Sequence, residues 1–134
     1  MAHILIADDD PILVELMSTM LQAAGHKVSK CASGLEALRK LGLEPENGAV
    51  ELPHLLILDL MMPKSDGYTV GTLIRSHART RHIPILVVSS LSEPSRLFSA
   101  TVKVDGFLNK TSIIEALIPT VSNILDKRTT QTKA

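Results

Sequence analysis

Four apolar runs in the sequence each lead into side chains that can do polar chemistry. The run HILIA is followed by Asp8 and Asp9, and LLIL is followed by Asp59. ILVVS ends on Ser89, and VDGFL comes shortly before Lys110. A carboxylate buried without a partner is energetically costly. We therefore expect these polar groups to meet one another, or a bound ion, in a common site.

The residue types at these positions favour one kind of chemistry. Three carboxylates at one place repel one another unless a cation lies among them. Oxygen ligands without cysteine or histidine favour a hard ion, and Mg²⁺ is the usual choice beside phosphate. A lysine and a hydroxyl supply a positive charge and a hydrogen bond for a dianionic group. The set predicts Mg²⁺-assisted phosphorylation of an aspartate.

The apolar runs alternate with segments of helical periodicity. Strands are predicted at His3–Ala7, Val28–Cys31, Leu55–Leu58, Ile85–Ser89 and Val104–Leu108, with a helix after each. Such alternation is typical of an α/β fold, here a single doubly wound parallel sheet of five strands with five helices. The carboxyl ends of parallel strands share one edge, where the functional crevice of these folds lies. All the polar residues named above fall at that edge.

Start and stop signals set the expected helix bounds. Asp10 is predicted to cap the first helix with Pro11 in its first position, and Ser33 to Glu36 matches a capping box. Asp66 and Ser92 are the expected caps of the third and fourth helices. Residues 43–53 are expected to form a long surface loop.

The last predicted helix contains a residue that opposes helix formation. Pro119 lies within its apolar stripe and removes the hydrogen bond to the Glu115 carbonyl, so we expect a kink or an interruption. The polar residues 127–134 are expected to form a frayed tail behind a domain of residues 1–126.

Composition narrows the class of protein. The 134 residues carry 14 Lys and Arg against 14 Asp and Glu, a formal net charge of +0. This balance gives no electrostatic case for binding nucleic acid or a membrane surface. Cys31 is the single cysteine, which fits a reducing compartment. The start MAHILIADDD has neither the basic end nor the long apolar segment of a signal peptide, so the expected location is cytoplasmic.

The sequence closely resembles the receiver domain of two-component response regulators, from about Ile4 to Leu125. The segments that carry the resemblance are ILIADDDP, LLILDLMMPKSDG, IPILVVSS and GFLNK. The resemblance implies the flavodoxin-like strand order 2-1-3-4-5. It also implies a signalling domain rather than an enzyme, whose own activities would be Mg²⁺-dependent self-phosphorylation and slow autodephosphorylation only.

The resemblance further implies a role for each site residue. Asp59 would accept the phosphoryl group, and Lys110 and Ser89 would bind it. Mg²⁺ would be held by Asp8, Asp9, Asp59 and the backbone carbonyl of Met61. Phe107 would be the aromatic switch. The implied donor is a sensor histidine kinase or a histidine phosphotransfer protein. A downstream protein target would bind the face formed by the fourth predicted helix, the fifth strand and the last helix.

The sequence also departs from the receiver pattern. Thr111 stands where proline is usual after the lysine, so we expect a trans Lys110–Thr111 bond. Met61 and Leu91 occupy positions from which polar side chains orient water towards the phosphoryl group. Because neither side chain can do so, the resemblance implies a long-lived phosphoryl-aspartate.

Other interpretations of the same residues stay open at this point. The charges could be isolated surface groups, and Phe107 could be an ordinary core aromatic. A receiver-like module could signal through protein contacts without phosphorylation. A phosphatase with an aspartate nucleophile would require an acid two residues beyond Asp8, where Asp10 is the expected helix cap.

Overall fold

Five short strands form one parallel sheet at the centre of the fold. The computed structural model describes residues 2–60, 67–90 and 102–133, the last six of them for the backbone alone. The strands are β1 His3–Ala7, β2 Lys27–Cys31, β3 Leu55–Leu58, β4 Ile85–Ser89 and β5 Gly106–Asn109. All neighbours are parallel, in the order β2-β1-β3-β4-β5. The predicted α/β class and strand order are confirmed.

β5 begins two residues later than the predicted Val104–Leu108. At its entry Asp105 donates its backbone N–H to the Ile85 carbonyl, at 2.8 Å. The Asp105 carboxylate accepts a bond from the Ile85 N–H, also at 2.8 Å. A side chain thus takes the place of a ladder acceptor at this point, and regular pairing starts at Gly106.

Four α-helices lie in the described part of the chain. They are α1 Pro11–Ala23, α2 Gly34–Lys40, α3 Gly67–Ser76 and α4 Ile113–Lys133. The expected caps of the first two are confirmed: Asp10 Oδ1 accepts from the backbone of Ile12 and Leu13, and Ser33 Oγ accepts from Glu36. The expected cap Asp66 and the predicted helix after Ser92 lie outside the described residues.

The core forms two apolar layers, one on each face of the sheet. One layer joins alternate strand residues to α2 and α3, and the other joins the intervening strand residues to α1 and α4. Every residue of β3 and β4 is buried, which is the behaviour expected of central parallel strands covered on both sides. The buried centre of the sheet therefore carries the residues that follow β3 and end β4.

The segment 43–53 is irregular, as predicted, but it is not wholly on the surface. Leu43 is buried and belongs to the core layer beside α2 and α3. Arg79 extends its guanidinium to the carbonyls of Leu41 and Gly42, at 3.4 Å each. The start of the loop is anchored because its leucines continue the apolar stripe of α2.

The last helix corrects two expectations. It runs from Ile113 to Lys133 with Pro119 inside, so the expected interruption is wrong, whereas a kink remains a prediction. Pro119 removes one hydrogen bond, but Leu117 and Val121 on either side of it are buried against the sheet and hold the helix together. The segment expected to be a frayed tail is helical through Lys133, because it contains no glycine or proline to end the helix. Among the described helices, none has an apolar stretch long enough to cross a membrane.

Candidate functional site

Asp8 and Asp59 extend the hydrogen-bonding pattern of the central strands by one residue each. Beyond the end of β1, the Asp8 N–H donates to the Cys31 carbonyl at 3.1 Å. Beyond the end of β3, the Asp59 N–H donates to the Ala7 carbonyl at 2.9 Å. Both backbones are thus fixed by the sheet. The fold places two carboxylates on adjacent strands at the same edge, as the sequence predicts.

Three carboxylates come together at this edge. Side-chain oxygens of Asp8, Asp9 and Asp59 all lie within 4.8 Å of one another. Asp8 and Asp59 are buried, with relative exposures of 1% and 3%, whereas Asp9 is exposed. The group is therefore a shallow acidic pocket with a buried floor and one solvent-facing carboxylate.

Lys110 provides the positive charge of the pocket. Its Nζ lies 3.2 Å from Asp59 Oδ2, with hydrogen-bond geometry, and 3.4 Å from Asp8 Oδ2. Burial by itself lowers the pKa of Lys110, but the charges of Asp59 and Asp8 outweigh burial, so that its pKa is raised above the ordinary value. The lysine is therefore held charged between the two buried carboxylates.

The two carboxylate oxygens of the buried Asp8 have different partners. Its Oδ1 accepts a hydrogen bond from the Asp10 N–H at 2.9 Å. Its Oδ2 is buried and makes no hydrogen bond of good geometry, and the Lys110 ammonium lies 3.4 Å away as an ion pair. Burial, aided by the charge of Asp59, raises the pKa of Asp8 above its usual range despite the opposing Asp10 hydrogen bond and Lys110 charge.

The donor set fits a magnesium ion. All three residues offer carboxylate oxygens, the ligands that Mg²⁺ prefers. One of these oxygens, Asp8 Oδ2, is buried with no hydrogen bond and with only the Lys110 ion pair, so a bound cation would add a second favourable contact. Asp9 faces solvent, which suits an ion that keeps several waters. Asp8, Asp9 and Asp59 are thus the residues that would hold the ion.

Two further predicted residues lie on the neighbouring strands. Ser89 is buried at the end of β4, and it pairs in register with Asn109 of β5. Phe107 lies in β5 opposite Val87, but its side chain is 41% exposed. The interpretation of Phe107 as an ordinary core aromatic is wrong, since Phe107 is exposed whereas its neighbour Leu108 is buried.

Of the remaining expectations at the site, those on Asp10 and on the Lys110–Thr111 bond can be compared with the structure. Asp10 is engaged as a helix cap through Oδ1, so it is not the acid that the phosphatase interpretation requires. The Lys110–Thr111 bond is trans, as predicted; the cis bond within the described residues joins Glu44 to Pro45. Met61, the expected carbonyl ligand, and Leu91 lie outside the described residues.

Two residues that shape the site, Gly67 and Asn109, were not predicted from the sequence. A Cβ added to Gly67 would lie 2.6 Å from the Asp59 carbonyl oxygen and 2.8 Å from Leu60 Cα. Glycine thus lets α3 begin directly against the backbone of Asp59 and Leu60. Asn109 Oδ1 accepts hydrogen bonds from the Thr111 N–H and hydroxyl, at 2.9 and 2.8 Å. An Asn immediately before a turn that enters a helix is a recognisable capping signal.

Comparison with known sequences identifies the family. The sequence profile of the response regulator receiver domain matches residues 4–122. The chain is 34% identical over 127 residues to the DNA-binding dual master transcriptional regulator RpaA of Synechocystis sp., covering 93% of this chain and 49% of RpaA. It is 36% identical over 90 residues to the response regulator PleD of Caulobacter vibrioides, covering 67% of this chain and 18% of PleD.

Solved structures give the same result. The signal receiver domain of a signal transduction histidine kinase from Syntrophus aciditrophicus superposes with a TM-score of 0.82 at 28% identity, covering 95% of this chain and 92% of that one. Response regulator TrrA from Thermotoga maritima, in complex with Mg²⁺-BeF, has a TM-score of 0.77 at 28% identity, covering 92% and 99%.

The match is to one part of larger proteins. This chain spans about half the length of RpaA and less than a fifth of PleD. The profile nevertheless covers the sheet, the acidic pocket and Lys110 together. The chain belongs to the response regulator receiver domain family, the signalling domains of two-component systems.

Proposed function

We propose that the chain accepts a phosphoryl group on Asp59, in a reaction that requires Mg²⁺, and thereby switches a protein-binding face. The proposal deepens the family assignment by naming the acceptor, the ion and the readout. A single observation carries it: Lys110 lies between the two buried carboxylates, 3.2 Å from Asp59 and 3.4 Å from Asp8. Isolated surface charges would have no reason to converge in this way.

The chain's own residues supply most of what the transfer needs. Asp59 is the nucleophile, and its Oδ2, held by Lys110, is positioned at the floor of the pocket. As an Asp59 oxygen bonds to phosphorus, the donor group leaves with its electron pair. Lys110 then moves from the carboxylate to the phosphoryl oxygens, and the Ser89 hydroxyl donates to one of them. Bound Mg²⁺ would neutralise charge that develops on the transferring group.

The readout would pass through β5 to the outer face of the domain. Ser89 ends β4 and faces Asn109 in register, and Phe107 lies two residues earlier on the same strand. We propose that Phe107, which is 41% exposed, turns inward when Ser89 engages phosphate. The face that changes comprises β5, α4 and the predicted helix between β4 and β5. A downstream protein target would bind there, and phosphate would come from a histidine kinase or a phosphotransfer protein in the cytoplasm.

The test is phosphorylation of the purified chain by a small phosphodonor such as phosphoramidate. We expect an intact-mass increase of one phosphate with Mg²⁺ present and none in excess chelator. Asp59→Asn removes the nucleophile and should take up no phosphate. Asp126→Asn, an exposed carboxylate far along α4, is the matched control and should react as the wild type does.

Each contrary result has a clear meaning. Equal uptake by Asp59→Asn would move the acceptor to another residue. No uptake by the wild type from phosphoramidate and from a panel of histidine kinases would favour the alternative, a receiver-like module that binds its target without phosphorylation. Steady turnover of phosphate esters would favour a phosphatase instead.

A further inference from the structure

The residues on either side of Lys110 are joined by a side-chain bridge. Asn109 Oδ1 accepts two hydrogen bonds from Thr111, one from its N–H at 2.9 Å and one from its hydroxyl at 2.8 Å. Lys110 is the residue enclosed by this bridge. Both bonding residues are exposed, so neither side chain is held there by packing in the core.

The bridge sets the path of the backbone at the lysine. Asn109 is the last residue of β5 and has extended backbone angles, φ −74° and ψ 138°. Residues Lys110–Ser112 then form a 3-10 turn that leads directly into α4 at Ile113, which is buried. The chain thus changes from strand to helix within three residues, and the Asn109–Thr111 bonds close that turn.

The bridge is also anchored to the strand that carries the site hydroxyl. Asn109 pairs in register with Ser89 at the end of β4. One end of the turn is therefore fixed by the sheet and the other by the core contacts of Ile113. Lys110 leaves a backbone whose direction is defined on both sides.

A defined backbone matters because a lysine side chain is long and loses much rotamer freedom when it is fixed. Here Nζ must meet two acceptors at once, Asp59 Oδ2 at 3.2 Å and Asp8 Oδ2 at 3.4 Å. The direction in which the backbone leaves Lys110 limits which rotamers of its four-carbon stem let Nζ reach both acceptors. In this chain a proline after the lysine is absent, and the Lys110–Thr111 bond is trans.

We propose that Asn109 and Thr111 form a positioning brace that aims Lys110 at Asp59, and that phosphoryl transfer to Asp59 depends on the Thr111 hydroxyl. The brace takes the place of the ring that a proline would supply at position 111. Thr111 acts through the lysine and does not touch the reacting atoms. The dependence of transfer on this hydroxyl rests on the proposed function.

The test uses two variants of one residue. Thr111→Val keeps the branched shape and loses the hydroxyl donor, whereas Thr111→Ser keeps the donor. The initial rate of phosphorylation by phosphoramidate at saturating Mg²⁺ should fall about 3- to 10-fold in Thr111→Val, the effect of losing one hydrogen bond. Thr111→Ser should restore the rate to within about twofold. Thr72→Val, an exposed threonine on α3, is the control and should leave the rate unchanged.

A double-mutant cycle separates positioning from general loosening of the fold. In a Lys110→Ala background Thr111→Val should have no further effect on the rate. Equal rates for wild type and Thr111→Val, equal slowing by Thr111→Ser, or persistent slowing in the Lys110→Ala background would each overturn the brace. If the wild type takes no phosphate, the proposed function fails first. The brace is then judged by a crystal structure of Thr111→Val, where a retained Lys110–Asp59 contact near 3.2 Å would contradict it.

Discussion

At the scale of single residues, the site holds charges that the folded chain accommodates poorly. Asp8 is buried at 1% exposure and has one carboxylate oxygen without a hydrogen bond. Lys110 offsets part of this cost but is shared with Asp59. Functional residues often carry such a cost, because the interaction that relieves it is made with a ligand rather than within the protein.

Asp8→Asn should therefore stabilise the chain in the absence of divalent cations. The amide keeps the size of the side chain and removes the buried charge, while Lys110 keeps its bond to Asp59. We expect a gain of about 1 kcal/mol at neutral pH, a rise in Tm of about 4 °C. Thermal unfolding in chelator measures this change in Tm. A lower Tm than that of the wild type would contradict the inference that the buried charge of Asp8 destabilises the fold.

The pH dependence of this gain has a defined sign. Because burial raises the pKa of Asp8, its protonated form is favoured in the folded chain. The stabilisation from that form is complete below the unfolded pKa of about 3.9 and is lost as pH rises through the higher folded pKa. The advantage of Asp8→Asn should thus be absent at the lowest pH and grow with rising pH. An advantage that shrinks over this range would reverse the inferred shift.

At the scale of elements, α4 keeps its helix despite a proline in its interior. The residues around Pro119 are held by the buried stripe Leu117, Val121 and Ile124. Packing of this face compensates for the missing hydrogen bond to the Glu115 carbonyl. The same stripe packs α4 against the sheet that contains β5. The helix of the proposed signalling face is therefore stabilised more by its tertiary packing than by its own backbone hydrogen bonds.

Pro119→Ala should raise stability because it restores the backbone bond at an exposed position. We expect a gain of about 1–3 kcal/mol in the free energy of unfolding. Asn123→Ala is the control, since Asn123 is exposed on the same helix and changes propensity alone, by about 0.5 kcal/mol. Urea unfolding of both variants measures the difference. A gain no larger than that of Asn123→Ala would mean that the proline costs the helix little.

At the scale of the whole molecule, the parallel sheet couples the acidic pocket to the stability of the fold. Asp8 and Asp59 are fixed by backbone bonds between β1, β2 and β3, and Lys110 brings in β5. The three carboxylates of Asp8, Asp9 and Asp59 come together only when all of these elements are assembled. A cation that binds it therefore binds the folded state and not the unfolded chain.

Mg²⁺ should consequently raise the Tm of the wild type in a concentration-dependent manner. At a concentration of about 100 times Kd the gain is about 2.7 kcal/mol. Asp9→Asn, at an exposed ligand position, should lose most of this gain without changing the Tm in chelator. Asp10→Asn keeps a helix cap and removes a neighbouring charge, so it should retain the gain. Equal Mg²⁺ stabilisation of Asp9→Asn and wild type would exclude Asp9 as a ligand.

Local patterns in the sequence determined the central strands, the start of α1 and the edge at which the polar residues meet. The unbroken apolar runs at β3 and β4 predict central parallel strands, because only strands covered on both faces bury consecutive side chains. Asp10 with Pro11 fixes the start of α1, since both act on the backbone within one turn. The polar residues at the strand ends predict a shared site, because parallel strands end at the same edge.

Tertiary structure decided what depends on contacts between distant segments. The start of β5 is set by the Asp105 carboxylate binding the Ile85 backbone, 20 residues away. Packing of α4 against the sheet prevents Pro119 from interrupting the helix. The exposure of Phe107 beside the buried Leu108 is likewise a property of the assembled fold. The position of Lys110 between Asp59 and Asp8 could not be read from the sequence, because Lys110 is 51 residues or more from either aspartate in the chain. Only the assembled sheet brings these charges within ion-pair distance.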